Sequence, residues 1–128
     1  MKSITRVYIQ LDVNSKVKLI EYFKSQIPSH WTVYADHMTV VYGKSLIEID
    51  RQNDNGKLVS LTATHIGKSN MAIAIRVNGY YSKNELPHIT LAVNDKEGGK
   101  QLMSNEIKDW VKLDHEILIY GHVIELYK

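Results

Sequence analysis

The chain has 128 residues, 44% of them hydrophobic and 23% charged, with seven Gly and two Pro; this excludes a disordered or fibrous chain and allows a buried core without staples, so a single domain over residues 1–128 is expected. Cysteine is absent, which excludes disulfides, thiolate catalysis and cysteine-based metal sites and fits a reducing compartment. A formal net charge of +2 is too mild to announce a nucleic-acid binder, yet it would not repel a phosphorylated ligand.

The first residues interleave polar and apolar side chains too often for a signal-peptide core, and no later run approaches a membrane span; a cytoplasmic protein with no membrane partner is expected. Ile4 to Leu11 is rich in β-branched and aromatic residues and reads as a strand, with Asp12, Asn14 and Ser15 as turn and capping residues. Val17, Leu19, Ile20, Phe23 and Ile27 then recur at helical spacing until Pro28, which predicts an amphipathic helix over 15–27. Met38 to Tyr42 and Leu46 to Ile49 read as short strands around Gly43, and the polar run 50–56 as a loop.

Lys57 to His65 and Met71 to Val77, separated by a turn-like Gly-Lys-Ser-Asn, predict an antiparallel hairpin. Pro87 introduces a strand from His88 to Val93. Lys100 to Val111, with Leu102, Met103, Ile107 and Trp110 along one side, predicts a second helix. Glu116 to Tyr127 closes the chain as a strand pair or one long bent strand containing Gly121. Grouped strands with two helices favour an α+β fold over an alternating parallel sheet.

One pattern occurs twice: His37-Met38-Thr39-Val40 and His88-Ile89-Thr90-Leu91. With six His and six Thr in the chain, chance supplies roughly 0.05 copies of His-apolar-Thr-apolar. Both copies sit at the start of a predicted strand. Side chains alternate across a strand, so each His shares a face with its Thr, roughly 7 Å along the chain, while Met38, Val40, Ile89 and Leu91 face a core. If the two strands lie side by side or face across a cleft, two imidazoles and two hydroxyls converge on a volume suited to phosphate. The hydroxyls can donate to non-bridging oxygens. One imidazole can activate a water or ribose hydroxyl while the other protonates the departing oxygen.

The motifs HMTV and PHITL resemble the paired H-x-T signatures of the 2H phosphoesterase superfamily. That group includes LigT-like RNA ligases and cyclic phosphodiesterases and the cyclic phosphodiesterase domain of fungal-type tRNA ligases; the stretch from Asn84 to Trp110 looks most like the last. The resemblance implies a bilobal α+β fold with antiparallel sheets around a central cleft and two main helices, each lobe carrying one motif on a central strand. It also implies no cofactor or metal, His37 and His88 as the catalytic pair, and Thr39 and Thr90 as phosphate-binding hydroxyls. For hydrolysis of a cyclic phosphate, His88 is assigned as base and His37 as acid, with the reverse left open.

Tyr42 and Lys44, just past the first motif, are candidates to stack on a base and approach phosphate. Trp31 and Tyr34 are candidates for the wall of a nucleoside pocket, although aromatics before a strand more often pack on a domain edge. Ser104 and Asn105 are candidates to cap the second helix or contact ligand, although polar helix surface is the more usual role of such residues. His65, His115 and His122 lack a partner Thr and read as surface or locally satisfied histidines, and no His-Glu-x-x-His or comparable metal-binding pattern is present.

The expected function is a metal-independent phosphodiesterase opening a 2',3'-cyclic phosphate at an RNA or nucleotide end. The alternatives are a phosphodiesterase degrading 2',5'-linked or cyclic oligonucleotide signals, as phage anti-defence members of the superfamily do, and a nucleotide- or RNA-binding module without turnover. The expected partners are thus an RNA end, a cyclic nucleotide or an oligonucleotide, with no obligate protein partner.

Overall fold

The computed structural model describes residues 4–42 and 54–127. The first strand, β1 (Ile4–Leu11), follows its alternation: Val7, Ile9 and Leu11 are buried, while Arg6, Tyr8 and Gln10 lie on the other face. Asp12 caps the helix α1 (Val13–Phe23) by accepting from the Ser15 backbone N–H at 2.7 Å. The buried Ser15 hydroxyl accepts in turn from the Tyr120 N–H at 2.8 Å, which fastens the helix entry to the last strand. Leu19 and Phe23 enter the same core as the strands. The helix starts two residues earlier than its periodicity predicts and finishes in a 3-10 turn, Lys24–Gln26, ahead of Pro28.

The remaining elements are strands and turns: β2 (Thr32–Val33), β3 (His37–Tyr42), β4 (Leu58–Lys68), β5 (Ala72–Asn78), β6 (His88–Val93) and β7 (Trp110–Tyr127). The hairpin β4–β5 forms as expected; the Ser69 hydroxyl holds its turn by accepting from the N–H groups of Met71 and Ala72. Each strand pairs antiparallel with its neighbours in the order β6-β3-β1-β7-β4-β5, and β5 pairs back to β6. The result is a closed six-stranded antiparallel barrel. Closure removes the unpaired edges an open sheet would expose. β2 pairs with the far end of β6. The core inside is built from alternate residues, among them Ile9, Met38, Val40, Leu61, Ile75, Ile89, Leu91 and Ile119.

This barrel corrects the expected bilobal α+β fold. The chain is 50% strand and 21% helix, and the two motif strands are neighbours in one barrel wall. Two expectations fail together. The segment 100–111 is not a helix: Gln101–Glu106 forms a 3-10 turn, and Trp110 already begins β7. Lys100, at the position before this turn, provides no capping bond, and Leu102 is 73% exposed, so the apolar residues do not make one buried face. Ile107 and Trp110 instead cover Ala72 and Ala74 on the outside of β5. β7 is one strand of 18 residues spanning both β1 and β4, which ties together what two lobes would hold apart. At Gly121 the β1 backbone passes so near that a Cβ would lie 2.6 Å from the Gln10 carbonyl oxygen.

The expected strand Leu46–Ile49 and most of the loop 50–56 lie outside the described residues; its end, Asp54–Gly56, is a turn, with the Lys57 N–H bonded to the Asp54 carbonyl. No described helix is long and apolar enough to cross a membrane.

Candidate functional site

The two motifs meet through one backbone pairing. Met38 of β3 pairs with Ile89 of β6 in antiparallel register, and both side chains are fully buried in the barrel core. Because an antiparallel register runs in opposite senses, His37 falls opposite Thr90 and Thr39 opposite His88. All four point away from the core. The two histidines are diagonal neighbours, a relation that places residues roughly 7–8 Å apart. The four side chains line a single cleft of about 610 Å³.

A kink sets this register. Upstream, Thr32 and Val33 pair with Val93 and Ala92, and the N–H groups of Tyr34 and Ala35 bond to the carbonyls of Leu91 and Thr90. Extending that register would misalign the motifs by two residues. Ala35, fully buried, takes a positive φ of 52°, and the pairing shifts between it and Met38. A left-handed alanine costs about 1–2 kcal/mol, strain held two residues before the first functional side chain, His37.

The imidazoles have different surroundings. His88 Nδ1 lies 2.9 Å from the Leu86 carbonyl, which can only accept, so Nδ1 carries the proton and Nε2 presents its lone pair to the cleft in the neutral form. Burial pushes its pKa below the ordinary histidine value, against the raising effect of the Leu86 bond. His37 Nε2 lies 2.9 Å from an Arg6 guanidinium nitrogen; the guanidinium can only donate, so here Nε2 accepts. Burial first, then the Arg6 charge, lowers the His37 pKa; Asp36 opposes them, and His88 adds a smaller push downward. Arg6 also sits over the Tyr8 ring, whose edge meets the His37 ring at 5.6 Å between centroids.

The two threonines are held differently, Thr90 by its hydroxyl and Thr39 by its backbone. Thr90 is 8% exposed, and its Oγ1 lies 2.8 Å from the Oγ of Ser104, itself 1% exposed. If Ser104 donates, the Thr90 proton is left with the Gln101 carbonyl at 3.5 Å, a long bond that an anion in the cleft can displace. Thr39 lines the cleft from β3; its carbonyl accepts from the Ser82 hydroxyl at 2.8 Å, and the Lys83 N–H bonds to Val40 next along the strand. These bonds strap the loop before β6 against the cleft, where Lys83 and Asn84 form its rim. Gln101 and Asn105 of the 3-10 turn close the other side.

Of the other residues singled out in the sequence, Trp31 packs against the core and Tyr34 is half-buried with its N–H on β6; neither lines the cleft. The Tyr42 side chain and Lys44 lie outside the described residues. His65 is satisfied locally, its Nδ1 lying 2.8 Å from the Thr64 hydroxyl. Sequence reasoning missed Arg6, Lys83, Asn84 and Gln101 on the cleft, and the bond of Ser104 to Thr90. Arg6 shares the polar face of β1 with Tyr8 and Gln10, a period-two signal readable in advance, but nothing local says that β1 lies beside β3. Among the described residues, no group of three His, Cys, Asp or Glu side chains is gathered closely enough to hold a metal ion. In comparisons with known proteins, no family model and no curated protein matches the chain.

Proposed function

We propose that this protein is a metal-independent phosphodiesterase of the 2H type, acting on a ribonucleotide 2',3'-cyclic phosphate at an RNA or nucleotide end in the cytoplasm. The observation that carries this reading is the cross-strand exchange of the two motifs, which brings both histidines and both threonines to one cleft. Thr39 and Thr90 donate to the non-bridging oxygens, and Arg6 turns from His37 to the phosphate, a bidentate partner for which guanidinium geometry is suited. His88, with Nε2 unoccupied, takes a proton from the attacking water as the water oxygen bonds to phosphorus. The bond from phosphorus to one ribose oxygen breaks, and His37, protonated once Arg6 has moved to the anion, gives its proton to that oxygen. A proton then returns from His88 to His37 through solvent, and the cycle closes.

A panel of cyclic mononucleotides, cyclic-phosphate-ended RNA, and 2',5'-linked and cyclic oligonucleotides, assayed in EDTA, tests the reading. Wild type turns over the 2',3'-cyclic phosphates with chelator present, and His37→Ala or His88→Ala each lowers kcat by roughly 10²–10⁴-fold with a small change in KM. Binding without product in wild type, or full activity in either variant, overturns it.

A further inference from the structure

The outward face that carries the cleft continues across the next three strands. Antiparallel register sets His88 of β6 opposite Arg76 of β5, Arg76 opposite His65 of β4, and His65 opposite Lys112 of β7. The intervening residues Ile66, Ile75 and Val77 are buried in the core, so the four share the outer face. Three strand spacings of about 4.8 Å make a row about 14 Å long leading away from the catalytic pair. Among the described residues, no carboxylate lies within ion-pair distance of Arg76 or Lys112. The His65 pKa is lowered by burial and then by Arg76 and Lys112, as expected where cations gather without an acidic counterpart.

An aromatic surface accompanies the row. Trp110 lies two residues before Lys112 on the same face of β7, opposite Gly67. Its ring lies so close over Gly67 that a Cβ there would be 2.6 Å from the indole, and its centroid is 6.5 Å from that of His88. The indole N–H is already used, donating to the Ile107 carbonyl. The half-exposed ring is therefore fixed in place beside the cleft. Cations interleaved with a fixed aromatic form the combination that binds single-stranded nucleic acid, the cations taking backbone phosphates and the ring taking a base.

We propose that Trp110, Arg76 and Lys112 form a binding track for the strand continuing from the scissile phosphate, so that the substrate is a single-stranded oligoribonucleotide and not a mononucleotide. The assignment of the scissile phosphate rests on the phosphodiesterase reading above; the track itself rests on the register and the charge.

The test compares kcat/KM of wild type, Arg76→Gln, Lys112→Glu and the double variant on two substrates, a short single-stranded RNA ending in a 2',3'-cyclic phosphate and uridine 2',3'-cyclic phosphate. The ratio of RNA to mononucleotide kcat/KM is expected to fall about tenfold in the double variant, and the dependence of the RNA rate on log salt to lose about one unit of slope per cation removed. An unchanged ratio in a folded double variant overturns the track and leaves the phosphodiesterase reading standing. Fluorescence anisotropy of the same RNA bearing a 3'-phosphate separates the two failures. If wild type cleaves neither substrate, the phosphodiesterase reading fails; the track then stands only if the double variant weakens RNA binding about tenfold, and falls if binding is unchanged. Lys112 is exposed, so Lys112→Glu alone carries the same comparisons should the double variant not fold.

Discussion

Arg6 and His37 stand 2.9 Å apart, guanidinium nitrogen to imidazole Nε2, in a cleft whose other imidazole leaves its own Nε2 open. The contact opposes protonation of the residue assigned as acid, so Arg6 has two effects of opposite sign. Removing it raises the His37 pKa, which favours the acid, and deletes a donor to the phosphate, which disfavours the transition state. The first effect is bounded, because burial is the larger cause of the depression and remains. The second is a charge-assisted bond of about 1.5–3 kcal/mol. The loss should win: Arg6→Ala lowers kcat/KM by about ten- to a hundredfold, while NMR titration shows the His37 pKa moving up. Steady-state kinetics with no loss of rate would remove Arg6 from phosphate binding.

The same depressed histidines make stability depend on pH. His37, His65 and His88 all have folded pKa values below the ordinary histidine value, so the unfolded chain binds protons more readily. Their contribution is fully present above about pH 6.5 and is lost as pH falls from there through the lowered folded values. Urea unfolding is expected to show a falling midpoint between about pH 7 and about pH 5. The His37→Gln/His88→Gln double variant should flatten that fall, leaving the part due to His65. An equal slope in wild type and double variant contradicts the lowered values.

The parts of the fold and site that were legible in the sequence are those that local alternation determines. In β1, β3 and β6 a two-residue period separates core from outer face, so His37 and Thr39, or His88 and Thr90, could be placed on one face from four residues alone. Closure was not legible. It depends on β5 meeting the next strand β6 and on β7 spanning β1 and β4, the latter joining residues as far apart as Ile4 and Tyr127 with no local signature. The segment 100–111 misled because Met103, Ile107 and Trp110 recur at helical spacing, while the absence of a cap before Gln101 and the outward Leu102 weigh the other way. Arg6 and Ser104 stayed hidden for the same reason as the barrel: what they touch is decided by strand order.

Ser104 acts on the site through Thr90, and a double-mutant cycle can isolate that link. The two hydroxyls are both buried and 2.8 Å apart. Removing one leaves the other with a poorer partner, a cost of about 1–3 kcal/mol. Thr90→Val and Ser104→Ala should therefore each destabilise the protein, and the double variant should cost less than their sum, because both ends of the bond are gone. Denaturant unfolding measures this coupling. In kinetics, Ser104→Ala should raise KM more than it lowers kcat, since it loosens a phosphate donor without touching either imidazole. Strict additivity of the two substitutions would show that the bond does no work in holding Thr90.

Gly67 provides the last test, because it couples the barrel wall to the aromatic beside the cleft. A methyl group there would lie 2.6–2.8 Å from the Trp110 ring and 2.7 Å from the Ile107 side chain. Neither can retreat inward: Ile107 covers Ala72 and Ala74, and the indole N–H is bonded to the Ile107 carbonyl at 3.2 Å. Both must therefore lift away from β4, and overpacking of this kind costs about 1–3 kcal/mol. Gly67→Ala should lower the unfolding midpoint and shift tryptophan emission to longer wavelength as the ring enters water. Trp110→Leu removes the ring that the added methyl meets, so combining it with Gly67→Ala should recover part of the lost stability. If the double variant is no more stable than Gly67→Ala alone, the constraint lies in the Ile107 side chain and not in the ring beside it.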